Sequence, residues 1–294
     1  MAAAALPKSK LELEFNQGSE YGEEEREAVL RVLANQAPSC GAEVLAFEAE
    51  FSAFVGTKFG VAVGNATQGL EIAVKAALVQ ARGRGLSGEL EVIVPCISWI
   101  STASAAALAG AKVRFADVVD PTVCVDCDSV KALVNASSTA AVIIVHLYGR
   151  PVDGAEELAA WLQERNVVLI EDCAHAAGAA TASGTPCGSI GDIGVFSFHQ
   201  QKNMTTLGEG GMCTVRSSQS LRDSLVGFRS LCAQSYDPKG KYLALDADKH
   251  PMGGRYWLMV RACVRGEVKG GGCCCCCCCW CCCAWWWWLC SRPF

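Results

Sequence analysis

The chain has 294 residues, 51% of them hydrophobic and 19% charged, with a formal net charge of −5 at pH 7. That apolar share supplies a sizeable core for one large domain, or a large one with a small companion, and argues against disorder over most of the length. A negative balance without a basic stripe interleaved with aromatics argues against nucleic acid as the main partner.

The opening stretch MAAAALPKSKLELEF has no long apolar run after a basic start and no arginine, so neither a secretory signal nor organelle targeting is expected. The expectation is a cytoplasmic protein with no membrane partner. Helical patterns follow at 23–34 and 42–54. From residue 61 onward short apolar runs alternate with amphipathic stretches. Strands are predicted at 61–64, 91–95, 112–117, 141–146, 167–171, 193–198 and 211–215, and helices at 67–80, 102–109 and 154–165. Several strands are β-branched and apolar on both faces, as buried parallel strands are. The expected fold class is therefore α/β, a mostly parallel seven-stranded sheet with helices on both faces. No GxGxxG or Walker-type glycine loop follows a strand, which disfavours dinucleotide and nucleoside-triphosphate folds. Cys124 and Cys127 form the one CxxC ahead of the tail, with no second pair or nearby histidine, so a surface loop is expected there and no metal. The other scattered cysteines read as small buried hydrophobes.

Ligands of such sheets gather at the C-terminal ends of strands, here 64–68, 95–99, 171–175 and 197–202. At the first, Gly64-Asn65-Ala66-Thr67 joins a strand to a helix. Helix N-terminal amides cradle a phosphate and Thr67 adds a donor, although any N-capped helix looks similar. At the second, Trp99 is suited to stack on a flat ring or to serve the core. The third, Val167-Val168-Leu169-Ile170-Glu171-Asp172, is a buried strand ending in two acids. Such acids often cap helices, but a carboxylate there also keeps a pyridine nitrogen protonated, so that the ring draws electrons from a carbanion. Asp172 is the candidate. His175 could hydrogen-bond a ring hydroxyl, or be satisfied in a helical turn. At the fourth, Lys202 lies between an apolar strand and the turn Gly208-Glu209-Gly210-Gly211, where burial lowers an amine's pKa and favours a Schiff base. Ser197 offers a hydroxyl to a phosphate. Together these residue types fit pyridoxal 5′-phosphate.

The segments that carry them resemble the DegT/DnrJ/StrS family of sugar aminotransferases, of the pyridoxal-phosphate fold type I. They are FEAEFSAFVGTKFGVAVGNATQGLEIAVKAAL, VPCISWISTASAAALAGAKVRFADV, VHLYGRPVD, VVLIEDCAHAAGA and GDIGVFSFHQQKNMTTLGEGGM, and the likeness runs over 15–231. The resemblance implies that Lys202 is the Schiff-base lysine and that Asp172 pairs with the ring nitrogen. It further implies that Ala66, Thr67 and Ser197 contact the phosphate, that Trp99 stacks and that His175 lies near the ring hydroxyl. The implied reaction moves an amino group, usually from glutamate, onto a ketone of a nucleotide-linked sugar, in a homodimer. The alternatives are another pyridoxal-phosphate enzyme on the same scaffold, such as a lyase or sugar dehydratase, and a non-catalytic regulatory relative.

Three stretches are expected: 1–235, a cofactor-binding large domain with an N-terminal helical segment; 236–269, the remnant of a small domain; and 270–294, a low-complexity tail. In the remnant, HPMGGRYWLMV carries Arg255 and Tyr256 where the family has an asparagine-bearing stretch, and the asparagine is missing. Of the 20 cysteines, eleven lie between Cys273 and Cys290. Cysteine and tryptophan codons share the bases TG, so GGGCCCCCCCWCCCAWWWWLCSRPF reads as translated TG-rich repeat. A membrane-inserted or metal-binding tail is the alternative, but contiguous cysteines lack the spacing of a tetrahedral site.

Overall fold

A computed structural model describes residues 21–34 and 41–230. The expected remnant at 236–269, with Arg255 and Tyr256, and the tail at 270–294 lie outside the described residues. The elements in chain order are α1 (Glu23–Ala34), α2 (Ala42–Val55), β1 (Phe59–Val63), α3 (Ala66–Gly83), β2 (Glu91–Pro95), α4 (Ile100–Leu108), β3 (Lys112–Ala116), α5 (Cys127–Leu133), β4 (Thr139–Val145), α6 (Ala155–Gln163), β5 (Val168–Asp172), β6 (Ile193–Ser197), β7 (Gly211–Val215) and α7 (Gln219–Arg229).

The strands form one sheet in the order β1-β7-β6-β5-β4-β2-β3. Strand β7 runs antiparallel to both neighbours, and all other pairings are parallel. Because successive strand side chains point to opposite faces, each central strand feeds two cores. Val94, Ile143 and Ile170 pack with Leu70, Val74 and Ala105 of α3 and α4 and with Leu225 of α7. Ile93, Val142, Ile144 and Leu169 pack with Val130, Leu158 and Leu162 of α5 and α6. A third cluster sets Phe51 and Val55 of α2 against Phe196 and Phe198. Each large aliphatic side chain buried this way contributes roughly 1.5–3 kcal/mol relative to exposure. The sheet is thus covered on both faces, as the two-sided apolar strands require.

Strand β3 is the partly exposed edge, and it carries Lys112 and Arg114, both ion-paired with Glu91 of β2. Charges on an edge strand oppose pairing with a further strand. No helix among the described residues is long and apolar enough to cross a membrane.

The surface loop expected at the CxxC is corrected. Cys124 is buried and Cys127 opens α5, their thiols directed at the carbonyls of Arg150 and Asp153. Burial pushes both thiols up, Cys127 to about 11, so neither is a ready thiolate at neutral pH.

From β4 the chain proceeds to β5 on one side of the sheet, whereas from β2 it proceeds to β3 on the other. Such a reversal opens a crevice at the C-terminal strand ends. The ends of β2, β4, β5 and β6 meet around it, and the site is built there.

Candidate active site

At the end of β1, Asn65 adopts an extended conformation and its side chain accepts the Gln68 N–H at 3.0 Å, which starts α3. The first amides of a helix have no intrahelical acceptor, and no acid occupies the first turn of α3. Ala66 and Thr67 therefore present N–H groups and the positive end of the helix dipole to an anion. The Thr67 hydroxyl bonds the Ser101 hydroxyl at 2.7 Å. Gly211 makes the close approach of β7 possible: a Cβ there would lie 2.8 Å from the Asn65 carbonyl carbon, 2.8 Å from the Phe196 oxygen and 3.0 Å from the Ala66 nitrogen.

At the end of β5 the alternation of side chains sends the two acids to different tasks. Glu171 is fully buried and accepts the Gly188 and Gly191 N–H groups, both at 2.7 Å, and bonds His146 Nε2 at 2.9 Å. His146 Nδ1 in turn accepts the Val152 N–H at 3.1 Å. His146, Glu171 and Cys173 lie close together, and Glu171 and His146 Nδ1 are already engaged by backbone N–H donors. The cluster braces the strand end.

Asp172 faces the crevice. One carboxylate oxygen accepts the Thr102 hydroxyl at 2.9 Å and the other the Ala174 N–H at 3.1 Å. Burial nevertheless pushes its pKa up, against the pull of those bonds and of His175 and His146. A cationic ring nitrogen beside the carboxylate would favour its ionised form.

His175 Nδ1 accepts the Tyr148 N–H at 3.2 Å, and the two rings stack with centroids 5.8 Å apart. Tyr148 holds a left-handed φ of 55° to make this contact. The proton of the neutral imidazole must then sit on Nε2, which becomes a donor. Burial and the Lys202 ammonium lower the pKa of His175, with Asp172 opposing, so the ring is neutral at pH 7.

Lys202 lies in the turn after β6, its N–H on the His199 carbonyl at 2.8 Å. Burial lowers the pKa of its amine, again with Asp172 opposing.

These groups share one cleft of about 420 Å³. All of the sequence-derived candidates line it: Ala66, Thr67, Trp99, Asp172, His175, Ser197 and Lys202. Trp99 caps α4 at the rim, 71% exposed, and does not belong to the core. A flat anionic cofactor suits the arrangement, with its acid-free helix end, a hydroxyl pair, a buried carboxylate and an amine of lowered pKa. Ser98, Ser101 and Thr102, which brace the site through hydroxyls, and His146 were not among the residues expected from the sequence. Their one sequence signal is the run of hydroxyl residues just after a strand end, and hydroxyls at a helix start ordinarily serve as caps.

A model of the DegT/DnrJ/EryC1/StrS aminotransferase family matches residues 19–244. Spore coat polysaccharide biosynthesis protein SpsC of Bacillus subtilis is 35% identical over 226 residues, 75% of this chain and 55% of that protein. UDP-N-acetyl-3-dehydro-alpha-D-glucosamine 3-aminotransferase of Acidithiobacillus ferrooxidans is 38% identical over 185 residues, 63% and 47% of the two chains. The X-ray structure of an aminotransferase from Psychrobacter cryohalolentis matches with a TM-score of 0.68 at 31% identity, covering 81% of this chain and 58% of the other. The chain spans about half the length of the curated relatives it matches.

Proposed function

The chain belongs to the DegT/DnrJ/EryC1/StrS aminotransferase family, and from that premise we propose that its cleft binds pyridoxal 5′-phosphate and transfers an amino group from glutamate to a keto group of a nucleotide-linked sugar. The observation that carries this reading is one cleft lined by Asp172, Lys202 and the acid-free N-terminus of α3. The name of the Acidithiobacillus relative, a 3-aminotransferase for a UDP-linked sugar, supports the substrate class.

When bound, the cofactor supplies an electron sink for charge developing on the carbon that gains or loses the amino group. Asp172 would hold a proton on the ring nitrogen, and the His175 Nε2–H would donate to the ring oxygen. The Trp99 indole would cover one face of the ring. The Ala66 and Thr67 amides, with the Thr67 and Ser197 hydroxyls, hold the phosphate. Lys202 attaches the cofactor through its amine. With its amine free, Lys202 would carry the proton at the reacting carbon as general base and then general acid. A homodimer belongs to the same reading: Trp99, Ile100 and Tyr148 are 70–82% exposed at or beside the mouth of the cleft, a surface suited to a second copy.

The test is to mix the purified chain with pyridoxal phosphate. A visible absorbance band is expected, which borohydride fixes onto the peptide that contains Lys202. Glutamate should bleach the band and a keto sugar nucleotide should restore it. No band would leave the regulatory reading standing, and elimination without transfer from glutamate would favour the lyase or dehydratase.

A further inference from the structure

Two neighbouring residues of α4 reach to opposite ends of the cleft. Ser101 bonds Thr67, at the phosphate end, at 2.7 Å, and Thr102 bonds Asp172, at the ring-nitrogen end, at 2.9 Å. Serine and threonine inside helices ordinarily bond a carbonyl one turn back or face solvent. Here both are buried, and their partners lie 34 and 70 residues away in sequence. Adjacent helix positions diverge by about 100°, so one turn of helix can serve two elements at once. That turn is itself fixed, because Ala105 and Ala106 of α4 are fully buried in the core shared with α3.

We infer that the first turn of α4 is a spacer that sets the separation between the two ends of the bound cofactor, with Ser101 and Thr102 as positioning residues. The inference rests on the proposed function. Thr102 acts through Asp172. An ionised carboxylate can only accept, so the single Thr102 proton goes to Asp172 and the Ser98 hydroxyl must donate to Thr102 at 2.8 Å. The relay Ser98 to Thr102 to Asp172 is thereby oriented, and it pins the carboxylate's rotamer. Ser101 acts through Thr67. Whichever hydroxyl of that pair donates, one proton remains to point at a phosphate oxygen.

The two roles separate by ligand. The test titrates the full-length chain and its Thr102→Val, Thr102→Ser and Ser101→Ala variants with pyridoxal phosphate and with pyridoxal, which lacks the phosphate. Thr102→Val should weaken both ligands about tenfold or more, the factor expected for a lost hydrogen bond to a charged group, and Thr102→Ser should restore them. Ser101→Ala should weaken pyridoxal phosphate severalfold and leave pyridoxal unchanged. Equal losses for both ligands in both variants would mean general loosening and would overturn the spacer, as would no loss in either. If the unaltered chain binds neither ligand, the proposed function falls with it. Normal binding by the unaltered chain beside unaffected variants sinks the spacer alone.

Discussion

At His175 the burial of the ring and the Lys202 ammonium both oppose a second proton, while the Asp172 carboxylate favours it, and the pKa falls below the usual 6.5. The unfolded chain then takes up the proton first as the solution is acidified. The contribution of this histidine to stability is therefore complete above about pH 6.5 and is lost as pH falls toward its lower folded value. Exchanging Lys202 for methionine removes the cation and leaves most of the burial, so the pKa of His175 should rise toward 6.5. An NMR titration of the imidazole ring in the two proteins checks this. An unmoved titration would mean that the amine does not sense the ring, and the donor role of Nε2–H would lose its electrostatic support. Asp172 obeys the opposite logic. Burial raises its pKa against the bonds from Ala174 and Thr102, so a cationic ligand beside it should pull that value down.

Among the elements, the joint between β7 and α3 bears directly on the cleft and leaves no room for a side chain at Gly211. The atoms that a Cβ on Gly211 would strike are backbone atoms of Asn65, Ala66 and Phe196, and backbone cannot rotate out of the way. Gly211→Ala should therefore cost about 1–3 kcal/mol, the usual range for overpacking, read as a lower urea midpoint. It should also weaken pyridoxal phosphate by displacing the Ala66 amide. Full stability in that variant would show that α3 yields freely and that its N-terminus is no rigid cradle. The sequence announced the strands because β2, β4, β5, β6 and β7 are apolar on both faces. It did not announce that β7 runs antiparallel, since an apolar run has no direction written in it. Helix α5 escaped notice because seven residues with one buried side chain, Val130, draw no stripe. Helix α7 could have been found: Ser218 caps it, and Leu221, Leu225 and Phe228 recur at helical spacing. The places of Asp172 and Lys202 at the cleft were legible because the first ends a strand and the second follows one. Thr102 was not, because only the folded chain brings its hydroxyl to Asp172, 70 residues away.

At the scale of the whole molecule, the cleft couples ligand binding to unfolding. Its lining comes from residues 65 to 209, drawn from the ends of β1, β4, β5 and β6 and the starts of α3 and α4. No partial unfolding that separates those elements can keep the site intact, so a ligand held there stabilises the sheet as a unit. At one hundred times its dissociation constant a ligand adds about 2.7 kcal/mol, which for a domain of this size raises the thermal midpoint by roughly 5–10 °C. Pyridoxal phosphate should produce such a rise in the unaltered chain. Lys202→Ala removes the covalent attachment but leaves the helix end and Asp172, so its rise should be smaller and still measurable, and inorganic phosphate should give less again because it engages the α3 end alone. Differential scanning calorimetry at fixed protein concentration would resolve the three. An equal rise in the native and Lys202→Ala chains would remove Lys202 from the cofactor's grip, and no rise in either would place the cofactor elsewhere or nowhere on this fold.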